Sequence, residues 1–184
     1  GCVIARLTKN KFNREGYTFK NWNTSPDGTG TSHADEARVK NLTTENDVEV
    51  HLYAQWEPIT YQIKFNANTG SGSMENQVLT FDKAANLKSN GFTKENYTFK
   101  GWSTTQDGIV EYQNEQEVKN LTSQNGKIIN LYAVWEEDPN YNVVYNDNYG
   151  DKEDSDPEKA YVNKPYQIKQ EEPTRDGYTL LGYN

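Results

Sequence analysis

The sequence predicts a strand-rich α+β fold assembled from tandem units of about 80 residues. Three observations carry that reading. Aromatic-centred blocks recur along the chain at a nearly fixed offset. Each block alternates apolar and polar residues with period two, and only one stretch per period is left for a short helix or irregular crossover.

The internal match is direct. Phe12-Asn13-Arg14-Glu15-Gly16-Tyr17-Thr18-Phe19-Lys20-Asn21-Trp22 aligns with Phe92-Thr93-Lys94-Glu95-Asn96-Tyr97-Thr98-Phe99-Lys100-Gly101-Trp102 at an offset of 80, followed by Asp27-Gly28 with Asp107-Gly108. Val39-Lys40-Asn41-Leu42-Thr43 then aligns with Val118-Lys119-Asn120-Leu121-Thr122, and Leu52-Tyr53-Ala54-Gln55-Trp56 with Leu131-Tyr132-Ala133-Val134-Trp135, at an offset of 79. One residue is therefore gained or lost in the loop after Gly28 or Gly108. A third copy opens at Tyr141-Asn142-Val143-Val144-Tyr145-Asn146, which answers Tyr61-Gln62-Ile63-Lys64-Phe65-Asn66. Its central element returns at Gly177-Tyr178-Thr179-Leu180-Leu181-Gly182-Tyr183, with Tyr183 in the Trp place. The expected units are 1–58, a copy lacking its front; 59–138, a complete copy; and 139–184, a copy lacking its back.

Within the complete unit each element has a local reason. Tyr61, Ile63 and Phe65 alternate with Gln62, Lys64 and Asn66, the pattern of a half-buried strand. Asn68-Thr69-Gly70-Ser71-Gly72-Ser73 supplies turn residues, and Val78-Leu79-Thr80-Phe81 reads as the return strand of a hairpin. Residues 82–96 mix Ala84, Ala85 and Leu87 with Lys and Asn and contain no β-branched run, so the expected helix or crossover falls there. Tyr97-Thr98-Phe99-Lys100-Gly101-Trp102 and Ile128-Ile129-Asn130-Leu131-Tyr132-Ala133-Val134-Trp135 are the remaining strands. Glu57-Pro58 and Glu136-Glu137-Asp138-Pro139 read as short solvated linkers between units.

Composition narrows the function. Leu, Ile, Val and Phe make up only 33 of 184 residues and the net charge is -8, a combination typical of disorder. Thirteen Tyr, four Trp and six Phe offset it, because each ring can bury roughly 150–250 Å². Several small aromatic-centred cores are expected. The length excludes a large multidomain enzyme. The acidic balance disfavours nucleic acid as a partner, and no run approaches the roughly 20 apolar residues needed to cross a bilayer as a helix. The lone Cys2 cannot form an internal disulfide. Val3-Ile4 leads directly into patterned sequence, which favours a plain thiol over a lipid-anchor remnant.

A search for chemistry finds no catalytic constellation. His33 and His51 occupy non-equivalent places and lack metal-ligand spacing. Cys2 has no activating His or Asn, and no Walker, Gly-x-Ser-x-Gly or dinucleotide motif occurs. The pairs Glu136-Glu137 and Glu171-Glu172 fall at unit junctions. The acidic run Asp147, Asp151, Glu153, Asp154, Asp156 and Glu158 lacks EF-hand spacing and reads as a solvated loop. The expectation is therefore no catalytic residue, no metal and no cofactor. A Lys–Asn isopeptide bond is chemically conceivable, with no pair singled out.

These residues resemble the Listeria–Bacteroides repeat, the internalin B-type B repeat of secreted and wall-attached bacterial proteins. The resemblance rests on Tyr61-x-Ile63-x-Phe65-Asn66, Glu95-x-Tyr97-Thr98-Phe99-Lys100-Gly101-Trp102 and Leu131-Tyr132-Ala133-x-Trp135, with the centre and close repeated at Tyr17, Phe19, Trp22 and Leu52, Tyr53, Trp56, and the centre again at Tyr178, Gly182 and Tyr183. Asn21 departs from the family's Gly, and Asn68-Thr69-Gly70 from its Gly-Gly turn. The resemblance implies a β-grasp-like unit, with strands wrapped around a short helix, and an extracellular place on the bacterial surface or in the medium. The recurring aromatics are expected as core signature residues, with a carbohydrate-stacking platform as the other use of such rings.

Two functions follow from the array. One is a non-catalytic adhesion or ligand-binding module for a host surface protein, glycan or cell-wall polymer; the other is a mechanical spacer without a ligand. The incomplete end units also permit head-to-tail self-association, front to back, between molecules.

Overall fold

The computed structural model describes residues 4–146, 148, 154–168 and 176–182. In the first unit the strands are β1 (Ala5–Arg6), β2 (Tyr17–Asn23), β3 (Ser32–His33), β4 (Arg38–Val39) and β5 (Tyr53–Pro58). The second holds β6 (Thr60–Asn66), β7 (Gln77–Thr80), β8 (Ala85–Asn86), β9 (Tyr97–Ser103), β10 (Glu117–Val118) and β11 (Ile128–Glu137), and the third β12 (Asn140–Val143) and β13 (Glu158–Tyr161). The second unit is built on a sheet of order β7-β6-β11-β9. Its central pair, β6 and β11, is parallel, and both flanking pairs are antiparallel. A parallel pair needs a long crossover, and residues 67–127 provide it.

The α+β expectation does not hold, and neither does the β-grasp-like unit. Among the described residues there is no helix. The stretch expected as a short helix or irregular crossover opens with Asp82 at φ 62° and then forms β8, which pairs antiparallel with β10. Its polar groups are satisfied across the chain. Leu87 N–H donates to the Gln116 carbonyl, the Asn86 amide to the Glu115 carbonyl, and the Gln77 amide to the Asn86 carbonyl. Residues 82–96 offer no apolar stripe of helical period to bury, so their two large apolar side chains, Leu87 and Phe92, enter the core from an extended crossover instead.

The core of the second unit gathers Tyr61, Ile63, Phe65, Leu79, Leu87, Phe92, Trp102, Val118, Leu131 and Ala133. Trp102 is fully buried, with the Phe65 and Phe99 rings each at 4.9 Å and Phe92 edge-on at 6.1 Å. Phe99 also meets Trp135 edge-on at 5.7 Å. Removing side chains of this size from water contributes about 1.5–3 kcal/mol each, which lets few aliphatics suffice.

A bulge explains the spacing of the aromatics. Trp135 faces Phe99 and Val134 faces Gly101, so Lys100 is an extra residue in β9. It shifts the side-chain parity, and Phe99 and Trp102, three apart, reach the same core. The first unit repeats the bulge, with Lys20 extra between Phe19 and Asn21. Its ring geometry repeats too, with Phe19–Trp22 at 5.1 Å, Phe19–Trp56 at 5.8 Å and Phe12–Trp22 at 6.1 Å.

The segments read as linkers are strand except at Asp138 and Pro139. Glu57 and Pro58 end β5, and Glu136 and Glu137 end β11. Pro58 faces Tyr17 in the sheet. In the third unit β12 and β13 pair as a hairpin equivalent to β6 and β7. Residues 176–182, carrying Tyr178 and Gly182, form a turn and extended chain outside any strand, with Tyr178 exposed. Tyr183, Cys2, Glu171 and Glu172 lie outside the described residues.

Candidate functional site

An open groove of about 570 Å³ lies where the loop after β6 meets the outer face of β11. Its walls include Asn66, Asn68, Thr69, Ser73, Phe92, Gln106 and Tyr132, and none of the described lining residues carries a charge. The loop is held by side-chain amides. Asn66 Nδ2 donates to the Leu131 carbonyl at 3.2 Å, and Asn68 Nδ2 to the carbonyls of Gln106 at 2.8 Å and Ala133 at 2.9 Å. Trp135 Nε1 donates to the Ala67 carbonyl at 2.9 Å. Asn68 adopts φ 48°, a conformation that Asn tolerates better than most residues. The groove can therefore offer amide and hydroxyl hydrogen bonds beside an aromatic ring, on a preformed frame.

The second distinctive feature is the junction between units, built twice on the same backbone plan. Ile59 N–H donates to the Gly16 carbonyl and Asp138 N–H to the Asn96 carbonyl, both at 2.9 Å; Gly16 and Asn96 are repeat equivalents. Phe81 N–H donates to the Ile59 carbonyl, and Val162 N–H to the Pro139 carbonyl, again at 2.9 Å. Side chains then differ. At the first junction the Tyr17 hydroxyl donates to Asp82 at 2.7 Å and the Tyr17 ring meets Phe81 edge-on at 5.9 Å. Hydrogen bonds from Asn120 and Tyr17 hold the Asp82 carboxyl below the usual range, and the bond to Asp82 pushes the Tyr17 phenol up.

At the second junction, ion pairs replace that contact. Lys159 Nζ lies 2.7 Å from Glu137 and Lys164 Nζ 2.6 Å from Asp138, while Thr98 donates to Asp138 at 2.7 Å. Lys159 and Tyr161 lower the Glu137 carboxyl, and Lys164 and Thr98 lower that of Asp138. Lys164 Nζ also sits 3.2 Å from Asn96 Oδ1. Isopeptide formation would require a neutral amine in an apolar setting. Here the side chains of Lys164 and Asp138 are 40% and 17% exposed and paired as ions, so the arrangement works as a polar clasp.

The residues singled out from sequence fall into three groups. Tyr61, Ile63, Phe65, Trp102, Leu131 and Gly101 are buried, and Phe99 and Trp135 pack half-buried against them; Trp22, buried, and Phe19 and Trp56, half-buried, form the first unit's smaller cluster. Tyr17 and Tyr97 are half-buried near the junctions, where Arg14 and Lys94 stack on their rings at 3.8 and 3.9 Å. Tyr132 lines the groove, while its equivalent Tyr53 is exposed and Leu52 half-buried. His51 lies 3.5 Å from Glu49 in an exposed pair, and His33 ends β3.

Of the acidic run, Asp147, Asp151 and Glu153 lie outside the described residues. Asp154 accepts a hydrogen bond from the Asn146 amide, and Glu158 one from the Tyr166 hydroxyl. Sequence reasoning missed Asp82, Asp138, Lys164, Asn68 and Gln106. A signal existed for one of them, since Asn66-x-Asn68 recurs as Asn146-x-Asn148, and Asn68 and Asn148 have φ of 48° and 50°.

No solved structure matches the chain. A protein of Evansella cellulosilytica named "Putative Gly-rich membrane protein" is 26% identical over 189 residues, an alignment covering 100% of this chain and 21% of that protein. The chain thus spans about a fifth of that relative's length. Residues 3–55, 61–134 and 141–184 match the Listeria-Bacteroides repeat domain. Matched three times over, by a pattern whose aromatic spacing the bulged strand explains, the chain belongs to the Listeria-Bacteroides repeat domain family.

Proposed function

We propose that this chain is a non-catalytic tandem-repeat module of a bacterial cell-envelope protein, displayed outside the cell, that binds a host surface protein, glycan or cell-wall polymer. The observation that carries the reading is the junction plan. The same backbone hydrogen bonds recur at both unit boundaries, with strands running into the boundary in place of a loose linker. Such an array extends by addition and presents successive faces at set spacing, which favours multivalent contact. The family and the membrane-protein name of the Evansella relative support the location. The internalin B-type subclass belongs to the same reading. Among the three ligand classes the groove favours a glycan, because its lining is uncharged in a chain with 25% charged residues.

The same junctions would also suit a spacer without a ligand. A screen of the chain against glycans, peptidoglycan and host matrix proteins separates the two. Saturable binding to one class supports the module, and silence against all of them supports the spacer.

A further inference from the structure

The path of the chain through the second unit fixes how that unit meets tension. Pro58 ends β5 and Thr60 begins β6, while Glu137 ends β11 and Asn140 begins β12. A pull along the array therefore enters through β6 and leaves through β11, with at most two residues between strands at either boundary. These two strands lie side by side and parallel, from Ile128 opposite Gln62 to Tyr132 opposite Asn66. Pulling on the start of one and the end of the other makes them slide past each other. The bonds of a parallel ladder run across the strands, so sliding loads all of them together, whereas opening a hairpin from its ends breaks them one at a time.

The seam is reinforced beyond its ladder. At its start Gly126 N–H donates to the Thr60 carbonyl and Gln62 N–H to the Lys127 carbonyl, both at 2.8 Å. At its far end three side-chain bonds cross the same seam, from Asn66 to the Leu131 carbonyl, from Asn68 to that of Ala133 and from Trp135 to that of Ala67. These latches follow the repeat plan, since Asn66-x-Asn68 recurs as Asn146-x-Asn148 and Trp135 as Trp56. Each loaded strand is also flanked, β6 by β7 and β11 by β9, so neither can swing outward and peel. Tyr61, Ile63 and Phe65 are buried with Leu131 and Ala133 in one core. Because side chains alternate along a strand, the next register that keeps these residues inside lies two residues on, about 6.6 Å away and far beyond the reach of a hydrogen bond.

We propose that the second unit is a load-bearing element in which β6 and β11 act as a shear clamp, so that an envelope protein carrying this array keeps its reach under pull. The function needs no ligand. It goes beyond the binding reading, and either stands if the other fails.

Single-molecule force spectroscopy on the full chain tests it in two pulling directions. One arm is tethered at the two ends of the chain. The other is tethered, in a Cys2→Ser background, at Thr60→Cys and Thr80→Cys, which face each other at the open end of the β6–β7 hairpin, so this arm unzips the same fold. A difference in force between the arms reports geometry and not stability. End-to-end pulling should release residues 60–137 in one step of about 230 Å, at a force several-fold above that of unzipping. Asn68→Gly with Trp135→Phe keeps the backbone freedom at 68 and an aromatic ring at 135 while removing two latches. This double variant should rupture at lower force end to end and at unchanged force when unzipped. An end-to-end force no higher than the unzipping force overturns the proposal, as does release of residues 60–137 in several shorter steps, or an undiminished end-to-end force in the double variant.

Discussion

The Tyr17 hydroxyl donates to the Asp82 carboxylate at 2.7 Å across the boundary between the first and second units. The contact lowers one group's pKa and raises the other's, and Asn120 Nδ2 adds a second bond to Asp82 at 2.9 Å. A carboxyl with a depressed folded pKa contributes stability that is present above its ordinary range and lost as pH falls through the folded value. The first junction should therefore loosen only on acidification below the usual carboxylate range and be unchanged from there through neutrality. Asp82→Asn should bring the Tyr17 titration down toward that of an ordinary phenol, read by ultraviolet absorbance or NMR. A Tyr17 titration unmoved by the substitution would reject the contact.

The second junction depends on Lys159–Glu137 and Lys164–Asp138, the first without a charged counterpart at the other boundary. Exposed ion pairs are screened by salt. Raising the salt to about 1 M should increase amide exchange at the second junction while leaving the Tyr17–Phe81 contact in place. Equal responses at both junctions would contradict this division.

Trp102 and Trp22 occupy equivalent places with unequal surroundings. Trp102 is 0% exposed and Trp22 9%, because Phe65 closes over the first ring only. Trp102→Ala should destabilise the second unit by about 3–5 kcal/mol, and Trp22→Ala its own unit by less. Both indole Nε1 atoms are buried without a partner, so substitution by Phe forfeits packing but no hydrogen bond. Urea denaturation of the four variants checks the order.

Gly101 has φ 148°, and a Cβ there would stand 2.5 Å from Val110 Cγ1 and 2.6 Å from the Tyr112 carbonyl oxygen. Asn fills the equivalent position 21, where the backbone is not in a positive-φ conformation and Trp22 and Asn23 pair with β3. Gly101→Asn should therefore cost about 1–3 kcal/mol despite copying the neighbouring repeat. A neutral result in thermal denaturation would show that the hairpin behind Trp102 yields.

If the groove holds a glycan, Tyr132→Ala should weaken binding about tenfold, the size of a lost ring contact. Val78→Thr, on the exposed side of β7, should leave it unchanged. Equal affinity of both variants would move the ligand off the groove.

The sequence by itself determined the repeat, its offset and the strands carrying Tyr61, Phe99 and Leu131. These follow from residue type and period, which local chain geometry transmits directly. It left residues 82–96 open between a short helix and an irregular crossover, and the extended crossover that formed rested on where Leu87 and Phe92 could be buried and where backbone groups found partners. Tertiary structure alone decided the parallel β6–β11 pair, the groove and the clasps at Asp82 and Asp138. Each joins residues more than 20 positions apart, and a one-dimensional pattern specifies which face is apolar but not what lies against it. The contrast between β5 and β11 states the rule within one chain: the same Leu-Tyr-Ala-x-Trp motif makes six residues of strand or ten, according to whether a neighbour lies along its edge.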